Sequence, residues 1–302
     1  MRVATIDVGT NSILLLVAER AGGALRVVDD RCRIERLGRG VDRTGVLDGA
    51  AIDRALDALR EYAAAARAAG AERVAAVGTQ ALREAKNGAA FLEPAAGILG
   101  VPVEVIAGPR EAALAYLAVT RSFPTLADGQ LVVCDVGGGS TELIVGRAGA
   151  VVSLVSLPIG SVRMTERFLL GDPPAAAEIA AMTAAIDAAV AKVELPAGAP
   201  LVCTAGTATT LAAVSLALTP YVADRVQGLY LDRAEIDRQL ARYMAMPVAD
   251  RKAVPGLDPR RADVIAAGAA IIARVMARAQ APTIVVSDRG IRWGLAYELL
   301  GQ

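Results

Sequence analysis

LVVCDVGGGSTELIV, residues 131–145, joins two apolar runs through a short polar turn. The first run ends at Asp135, and the second run leaves after Glu142. Three adjacent glycines would weaken the interior of a strand, so they predict a tight turn that something approaches closely. Successive N–H groups without Cβ atoms can point into one concavity and bind phosphate oxygens, and Ser140 and Thr141 add hydroxyl donors. The alternative is an ordinary glycine-rich hairpin, because short glycine motifs recur by chance.

The same pattern occurs near the N-terminus. Residues 3–17 read VATIDVGTNSILLLV and align with residues 131–145 at a constant offset of 128 residues, which places Asp7 on Asp135. Two copies one domain length apart predict two similarly built halves. We expect two phosphate cradles that hold an anion from both sides of a cleft. The first cradle consists of Gly9, Thr10, Asn11 and Ser12, and the second of Gly137, Gly138, Gly139, Ser140 and Thr141.

Carboxylates stand beside both cradles. Asp135 and Glu142 are hard oxygen ligands at the two ends of the second cradle, suited to a Mg²⁺ that accompanies phosphate, and Mn²⁺ is the alternative metal. Asp7 is a weaker metal candidate at the first cradle. A magnesium site beside phosphate is therefore the prediction.

Composition excludes several kinds of site and partner. The 302 residues carry no net charge, which does not indicate a nucleic-acid partner. The chain has no histidine, so a Ser-His-Asp triad and a His-ligated zinc site are excluded. Three widely spaced cysteines fit neither a disulfide framework nor a zinc site. No apolar run is long enough for a membrane span or a signal peptide, and we expect a cytoplasmic protein without a membrane partner.

Strands alternate with helices along the chain, which predicts an α/β class. A segment with Pro and Gly at 124–129 predicts a boundary between domains 1–123 and 124–302, with the last helix able to pack back on the first domain. A helix is predicted from Asp258 to Ala279. Two strand ends carry further candidate ligand contacts: Thr79 and Arg83 after one strand, and Gly206 and Thr207 where a strand turns into a helix.

Seven segments together resemble the exopolyphosphatase and guanosine pentaphosphate phosphatase family, of the actin-like ATPase and sugar kinase superfamily. They span almost the whole chain in the expected order: Ile6 to Ser12, Thr79 to Glu84, Gly108 to Ala112, Asp135 to Glu142, Gly206 to Thr210, Pro255 to Asp263, and Ser287 to Gly294. The resemblance implies two ribonuclease-H-like domains with an active site in the cleft between them. It also implies Mg²⁺-dependent hydrolysis of the terminal phosphoanhydride of polyphosphate, or of guanosine pentaphosphate to the tetraphosphate.

The resemblance also implies roles for single residues. Glu111 looks like the carboxylate that activates the attacking water, and Arg83 like an arginine that neutralises phosphate oxygens. Asp135 and Glu142 look like the carboxylates that hold Mg²⁺ or orient that water. Because phosphoryl transfer depends mainly on positioning and charge neutralisation, these residue types can supply the chemistry without histidine.

The sequence departs from the pattern of the family in two respects, and two other functions are alternatives to hydrolysis. Leu14 stands where many relatives carry a basic residue, which removes one possible phosphate contact. The chain stops at Gln302 where longer relatives add C-terminal helical domains, which leads us to expect distributive action or a preference for shorter polyphosphate. A phosphotransferase that passes phosphate to ADP is one alternative. A sensor that binds a nucleotide or an alarmone without catalysis is another. A homodimer is expected from the habit of the class, although no surface in the sequence identifies it.

Overall fold

The computed structural model describes residues 1–22 and 24–301 and confirms the α/β prediction. The chain forms two compact units. The first contains Met1–Ala118 and the C-terminal segment from Ile291, and the second contains Val119–Gly290. The predicted domain limits at 123/124 and the cleft between the domains stay predictions.

The first unit is a five-stranded mixed sheet in the order β3-β2-β1-β4-β5. Strands β1 to β3 are antiparallel neighbours, whereas β4 and β5 run parallel to β1. This is the ribonuclease-H-like arrangement that the resemblance predicts. Its strands are β1 Arg2–Val8, β2 Ser12–Ala21, β3 Ala24–Ile34, β4 Arg73–Gly78 and β5 Val103–Val105. Its helices are α1 Val41–Thr44, α2 Gly49–Ala68, α3 Gln80–Glu84, α4 Ala89–Leu99, the start of α5 Gly108–Ser122, and the last helix Ile291–Leu299.

The second unit has a six-stranded sheet in the order β10-β11-β9-β6-β7-β8. The arrangement of the first unit recurs here, and β10 is added as an antiparallel edge strand. The strands are β6 Gln130–Val136, β7 Thr141–Arg147, β8 Ala150–Leu157, β9 Leu201–Thr204, β10 Tyr230–Asp232 and β11 Thr283–Val286. The helices are α6 Pro124–Ala127, α7 Ser161–Phe168, α8 Ala176–Val190, α9 Ala205–Ser215, α10 Ala223–Val226, α11 Arg233–Ala245, α12 Val248–Arg251 and α13 Ile265–Ala279; the last helix of the chain, Ile291–Leu299, is α14.

The hairpins β1-β2 and β6-β7 have the same register at the predicted offset. Asp7 lies opposite Leu14 in the first hairpin, and Asp135 lies opposite Glu142 in the second. Where β2 pairs with β3 the register shifts after Val17, and where β7 pairs with β8 it shifts after the equivalent residue. A bulge at an equivalent place in both units shows that the sequence repeat is also a structural repeat.

Each unit has its own hydrophobic core. In the first unit, alternate residues of β1 such as Ile6 pack under α2 and α4, while Val3 on the opposite face packs with Trp293 of α14. In the second unit, β6 and β9 are covered by helices that include α8, α9, α11 and α13. Since strand residues alternate between faces, both sheets bury the two sides of their central strands.

One sequence expectation needs correction. Asp258 does not begin a helix that continues to Ala279: its side chain accepts the Arg260 N–H at 2.9 Å and caps a three-residue 3-10 turn, Pro259–Arg261, and α13 starts only at Ile265. Among the described helices, none has both the length and the apolar character needed to cross a bilayer.

Candidate active site

The first cradle, residues 9–12, is the turn between β1 and β2. It is closed by a hydrogen bond from the Gly9 N–H to the Ser12 carbonyl at 2.9 Å. The carbonyls of Thr10 and Asn11 accept from the N–H groups of Gly38 and Arg36 at 2.8 and 3.0 Å. The turn is therefore held from behind by the segment that follows β3.

Asp7, the last but one residue of β1, is buried with an unsatisfied oxygen. Neither its Oδ1 nor the buried Oδ1 of Asn11 contacts a hydrogen-bond partner in the described part of the chain. Burial raises the pKa of Asp7 to about 7, and the nearby Arg292 guanidinium acts in the opposite direction. Because buried polar oxygens normally have partners, these two orphaned acceptors indicate room for a cation, a water or a donor from a ligand.

Glu111 is buried in the first turn of α5, and Arg83 holds it. The Arg83 guanidinium donates to the Glu111 carboxylate, to the Ile106 carbonyl at 2.6 Å, and to the Gln80 side chain. Thr79, the residue before α3, is also buried, and its N–H donates to the Val8 carbonyl of β1 at 3.2 Å. Thr79, Arg83 and Glu111 are thus brought together in the first unit, beside the strand that carries Asp7.

The second cradle, residues 137–141, repeats the turn geometry in the second unit. The Gly137 N–H donates to the Ser140 carbonyl at 3.0 Å, the counterpart of the bond in the first cradle. Ser140 and Thr141 are buried, and the Thr141 hydroxyl donates to the Ile159 carbonyl. The hydroxyl of Thr141 therefore fastens the turn to the chain behind it.

Asp135 and Glu142 face each other across the β6-β7 ladder. Directly opposite residues of an antiparallel pair project to the same face of the sheet, so the two buried carboxylates share one face. The Ser156 hydroxyl donates to Glu142 Oε1 at 2.6 Å and orients it. Among the described residues no cluster of three or more acidic, cysteine or histidine side chains surrounds a metal position. A carboxylate pair still fits Mg²⁺, which in phosphate sites is bound by one or two carboxylates together with phosphate and water.

Gly206 and Thr207 lie at the β9-to-α9 junction, at the edge of the second sheet where β6 leads into the second cradle. Ala205 enters the helix with a φ of 66°, a left-handed conformation that is strained for a residue with a Cβ. The Gly206 backbone lies directly under the Arg261 guanidinium, where a side chain would collide. Thr207 is buried against Gly268 of α13. This junction thus presents backbone and an arginine, whereas the Thr207 side chain points into the core.

Sequence reasoning missed two residues that shape the second cradle, Gly160 and Arg163. Arg163 is buried, and its Nε donates to the Gly139 carbonyl at 2.8 Å. A glycine directly before a helix was the available signal, but the contact joins residues 24 apart along the chain and no local pattern predicts it.

The comparison with known proteins decides the family. The sequence pattern of the Ppx/GppA phosphatase family matches residues 16–302. The chain belongs to this family. Exopolyphosphatase 2 of Mycobacterium tuberculosis is 37% identical to it over 99% of both chains. A guanosine-5'-triphosphate,3'-diphosphate pyrophosphatase of Vibrio vulnificus is 30% identical over 99% of this chain, which spans 59% of that relative.

Solved structures of Ppx/GppA proteins have the same fold. The Aquifex aeolicus PPX-GPPA enzyme is 37% identical and superposes with a TM-score of 0.84 over 100% of this chain and 99% of its own. An exopolyphosphatase-like protein, 32% identical, superposes with a TM-score of 0.92 over 99% and 97% of the two chains. The predicted fold class and family are thus confirmed for this Ppx/GppA protein.

Proposed function

We propose that this Ppx/GppA protein hydrolyses the terminal phosphoanhydride bond of inorganic polyphosphate, and that guanosine pentaphosphate is a second substrate. Full-length similarity to exopolyphosphatase 2 supports the first substrate, and similarity to the Vibrio pyrophosphatase supports the second. The observation that carries the proposal is the buried Glu111 at the start of α5, because a hydrolase needs a base for water and a mere binding protein does not.

Glu111 serves as the general base in this proposal. It is buried and Arg83 fixes it in place, so its oxygens point in a defined direction rather than sampling rotamers. A positioned general base contributes about 10²–10⁴-fold to the rate. Arg83 then acts twice: it orients the base, and its positive charge lies where phosphoryl oxygens would approach.

The cradles bind and orient the phosphoryl chain through backbone N–H groups and the hydroxyl of Ser140. Asp135 and Glu142 would hold Mg²⁺ at the second cradle, and the Ser156 hydroxyl keeps Glu142 in position. Asp7 is the weaker candidate ligand, at the first cradle. Bound Mg²⁺ supplies neutralisation of the charge that spreads over the phosphoryl oxygens in the transition state. No covalent intermediate is needed.

Phosphate release tests the proposal. The chain is incubated with tripolyphosphate, long-chain polyphosphate, guanosine pentaphosphate and ATP, with Mg²⁺ or with chelator, and with or without ADP. We expect phosphate from polyphosphate with Mg²⁺ and almost none with chelator. ATP formed from ADP instead of phosphate would favour the phosphotransferase, and binding without turnover of any substrate would favour the sensor.

The variant Glu111→Gln tests the role of the base. Because the amide keeps the shape of the side chain but cannot take a proton, kcat should fall about 10²–10⁴-fold while tripolyphosphate still binds. Glu104→Gln, at an exposed position of strand β5, is the matched control and should keep wild-type turnover. Undiminished hydrolysis by Glu111→Gln would remove this residue from the mechanism.

A further inference from the structure

Three consecutive carbonyls of the second cradle, those of the three glycines, are all turned towards the start of α7. Each accepts at least one hydrogen bond from that segment. The Gly137 carbonyl accepts from the N–H of Ser161 at 2.9 Å and from its hydroxyl at 3.3 Å, the Gly138 carbonyl from the N–H groups of Val162 and Arg163 at 2.9 and 3.1 Å, and the Gly139 carbonyl from Arg163 Nε at 2.8 Å.

Fixing these carbonyls also fixes the N–H groups on the other side of the turn. The peptide bonds of this turn are trans, so the N–H that follows each carbonyl in the same plane points in the opposite direction. The N–H groups of Gly138, Gly139 and Ser140 therefore face away from α7. Within the described ranges none of the three donates to a backbone carbonyl. The arrangement is a row of three oriented donors, the kind of nest that binds an anion.

The first cradle is held less completely. There the carbonyls of Thr10 and Asn11 are bonded from behind, which orients the N–H groups of Asn11 and Ser12. The donors of those two bonds are backbone N–H groups of the segment after β3. The backbone bonds from behind thus orient two N–H groups in the first cradle, whereas the contacts with α7 orient three in the second.

Gly160 brings α7 close enough to form these bonds. A Cβ at this position would overlap the carbonyl of Gly138 and the backbone of Gly139. The backbone of Gly160 is extended, with a φ of −128°, a conformation open to any residue, so the requirement for glycine is steric rather than conformational. A methyl group here must push α7 and the second cradle apart.

We infer that Gly160 and Arg163 are positioning residues for phosphate binding: they hold the three glycine carbonyls so that the N–H groups of Gly138, Gly139 and Ser140 converge on one phosphoryl group. Gly160 acts through the close approach of its backbone, and Arg163 acts through the Gly139 carbonyl. The inference relies on the proposed function only for the identity of that anion.

Binding of Mg²⁺-tripolyphosphate to the full chain tests the inference. Calorimetry is performed in a Glu111→Gln background, where the probe is not consumed, on Gly160→Ala, Arg163→Met and Arg163→Lys. We expect the Kd to rise at least tenfold in Gly160→Ala and Arg163→Met, because the donors lose their common direction. Arg163→Lys should restore part of the affinity, since an ammonium can still donate to the Gly139 carbonyl.

Gly129→Ala is the matched control, because its Cβ would lie 4.0 Å from the Leu126 carbonyl oxygen, an ordinary van der Waals contact. Its Kd should stay within twofold of the parent. Far-UV circular dichroism and the thermal midpoint report on the fold of every variant. A wild-type Kd in folded Gly160→Ala and Arg163→Met would overturn the inference.

Amide chemical shifts keep the test decisive where a variant does not fold. In the ¹⁵N-labelled Glu111→Gln chain, the amide protons of Gly138, Gly139 and Ser140 should all move downfield on addition of Mg²⁺-tripolyphosphate. Unchanged shifts at all three would also overturn the inference. If the variants bind Mg²⁺-tripolyphosphate more weakly but the wild-type chain hydrolyses no phosphoanhydride, the inference is supported and the proposed function is rejected. If the wild-type chain hydrolyses phosphoanhydride but the variants bind with an unchanged Kd, the proposed function is supported and the inference is rejected.

Discussion

At the scale of single residues, Asp7 combines burial, an unsatisfied oxygen and a pKa near neutrality. Burial raises its pKa from 3.8 to about 7, so the folded chain binds this proton more tightly than the unfolded chain. Protonated Asp7 therefore contributes to the free energy of unfolding. This contribution is complete below about pH 4 and is lost as the pH rises towards 7.

Asp7→Asn should therefore gain in thermal midpoint relative to wild type as the pH is raised from about 4 to about 8, because the amide does not ionise. Midpoints measured across this range without divalent metal check the prediction, and Mg²⁺ should reduce the difference if Asp7 binds it. Asp57→Asn, at an exposed position paired with Arg60, should show no such trend. A constant difference between Asp7→Asn and wild type would contradict the pKa assignment.

Arg83 is the second residue whose environment makes a prediction. In Arg83→Met, Glu111 stays buried without its cationic partner, and a displaced catalytic group costs about 100-fold in rate. We expect kcat to fall by about this factor, with partial recovery in Arg83→Lys, since a single ammonium nitrogen replaces the two guanidinium nitrogens that contact Glu111 and Ile106 on one side and Gln80 on the other. Arg110→Met, which breaks an exposed pair with Glu298, is the control. Equal kcat values for Arg83→Met and wild type would refute the orienting role.

At the scale of elements, helix α2 begins at an aspartate cap. The side chain of Asp48 accepts the N–H of Ala51 at 2.9 Å and satisfies one of the donors at the helix start. Asp48→Ala should lower the free energy of unfolding by about 1 kcal/mol, while Asp48→Asn, which can also cap, should change it little. Chemical denaturation measures both. An Asp48→Ala chain as stable as wild type would show that the cap is dispensable.

The elements also show how much the sequence predicts. The two hairpins were predictable, because continuous apolar runs, an aspartate and a polar turn with glycine occur twice at a fixed offset. The late start of α13 was not, because Pro259 and the Asp258 cap favour a tight local turn that helical periodicity does not reveal. The support of the second cradle by Arg163 was equally hidden, since it depends on how β8 returns the chain to the turn.

Some contacts between the candidate residues could be predicted from the sequence, and others could not. Asp135 with Glu142 could be predicted as a facing pair from the hairpin alone, because their register follows from the turn length. The partnership of Arg83 with Glu111 could not, since 28 residues and a complete helix separate them. Which of the other predicted contacts touch a substrate stays a prediction.

At the scale of the whole molecule, the chain has two separate cores whose strands are equivalent. Leu15 of β2 and Leu143 of β7 occupy the same position of the repeat, and both are fully buried. Replacing either with alanine should destabilise its own unit by about 2–5 kcal/mol. Hydrogen exchange followed by mass spectrometry should show faster exchange in β1 and β2 for Leu15→Ala, and in β6 and β7 for Leu143→Ala. Identical exchange maps for the two variants would mean that the cores unfold as one.

The shared ladder and its bulge have a wider consequence. Residues 128 positions apart occupy equivalent places in the two hairpins, so the positions where the copies differ show where their chemistry differs. In the first hairpin Leu14 lies opposite Asp7, and in the second hairpin Glu142 lies opposite Asp135. The first hairpin thus has an apolar residue beside its aspartate, whereas the second has another carboxylate. The two turns are therefore not chemically equivalent.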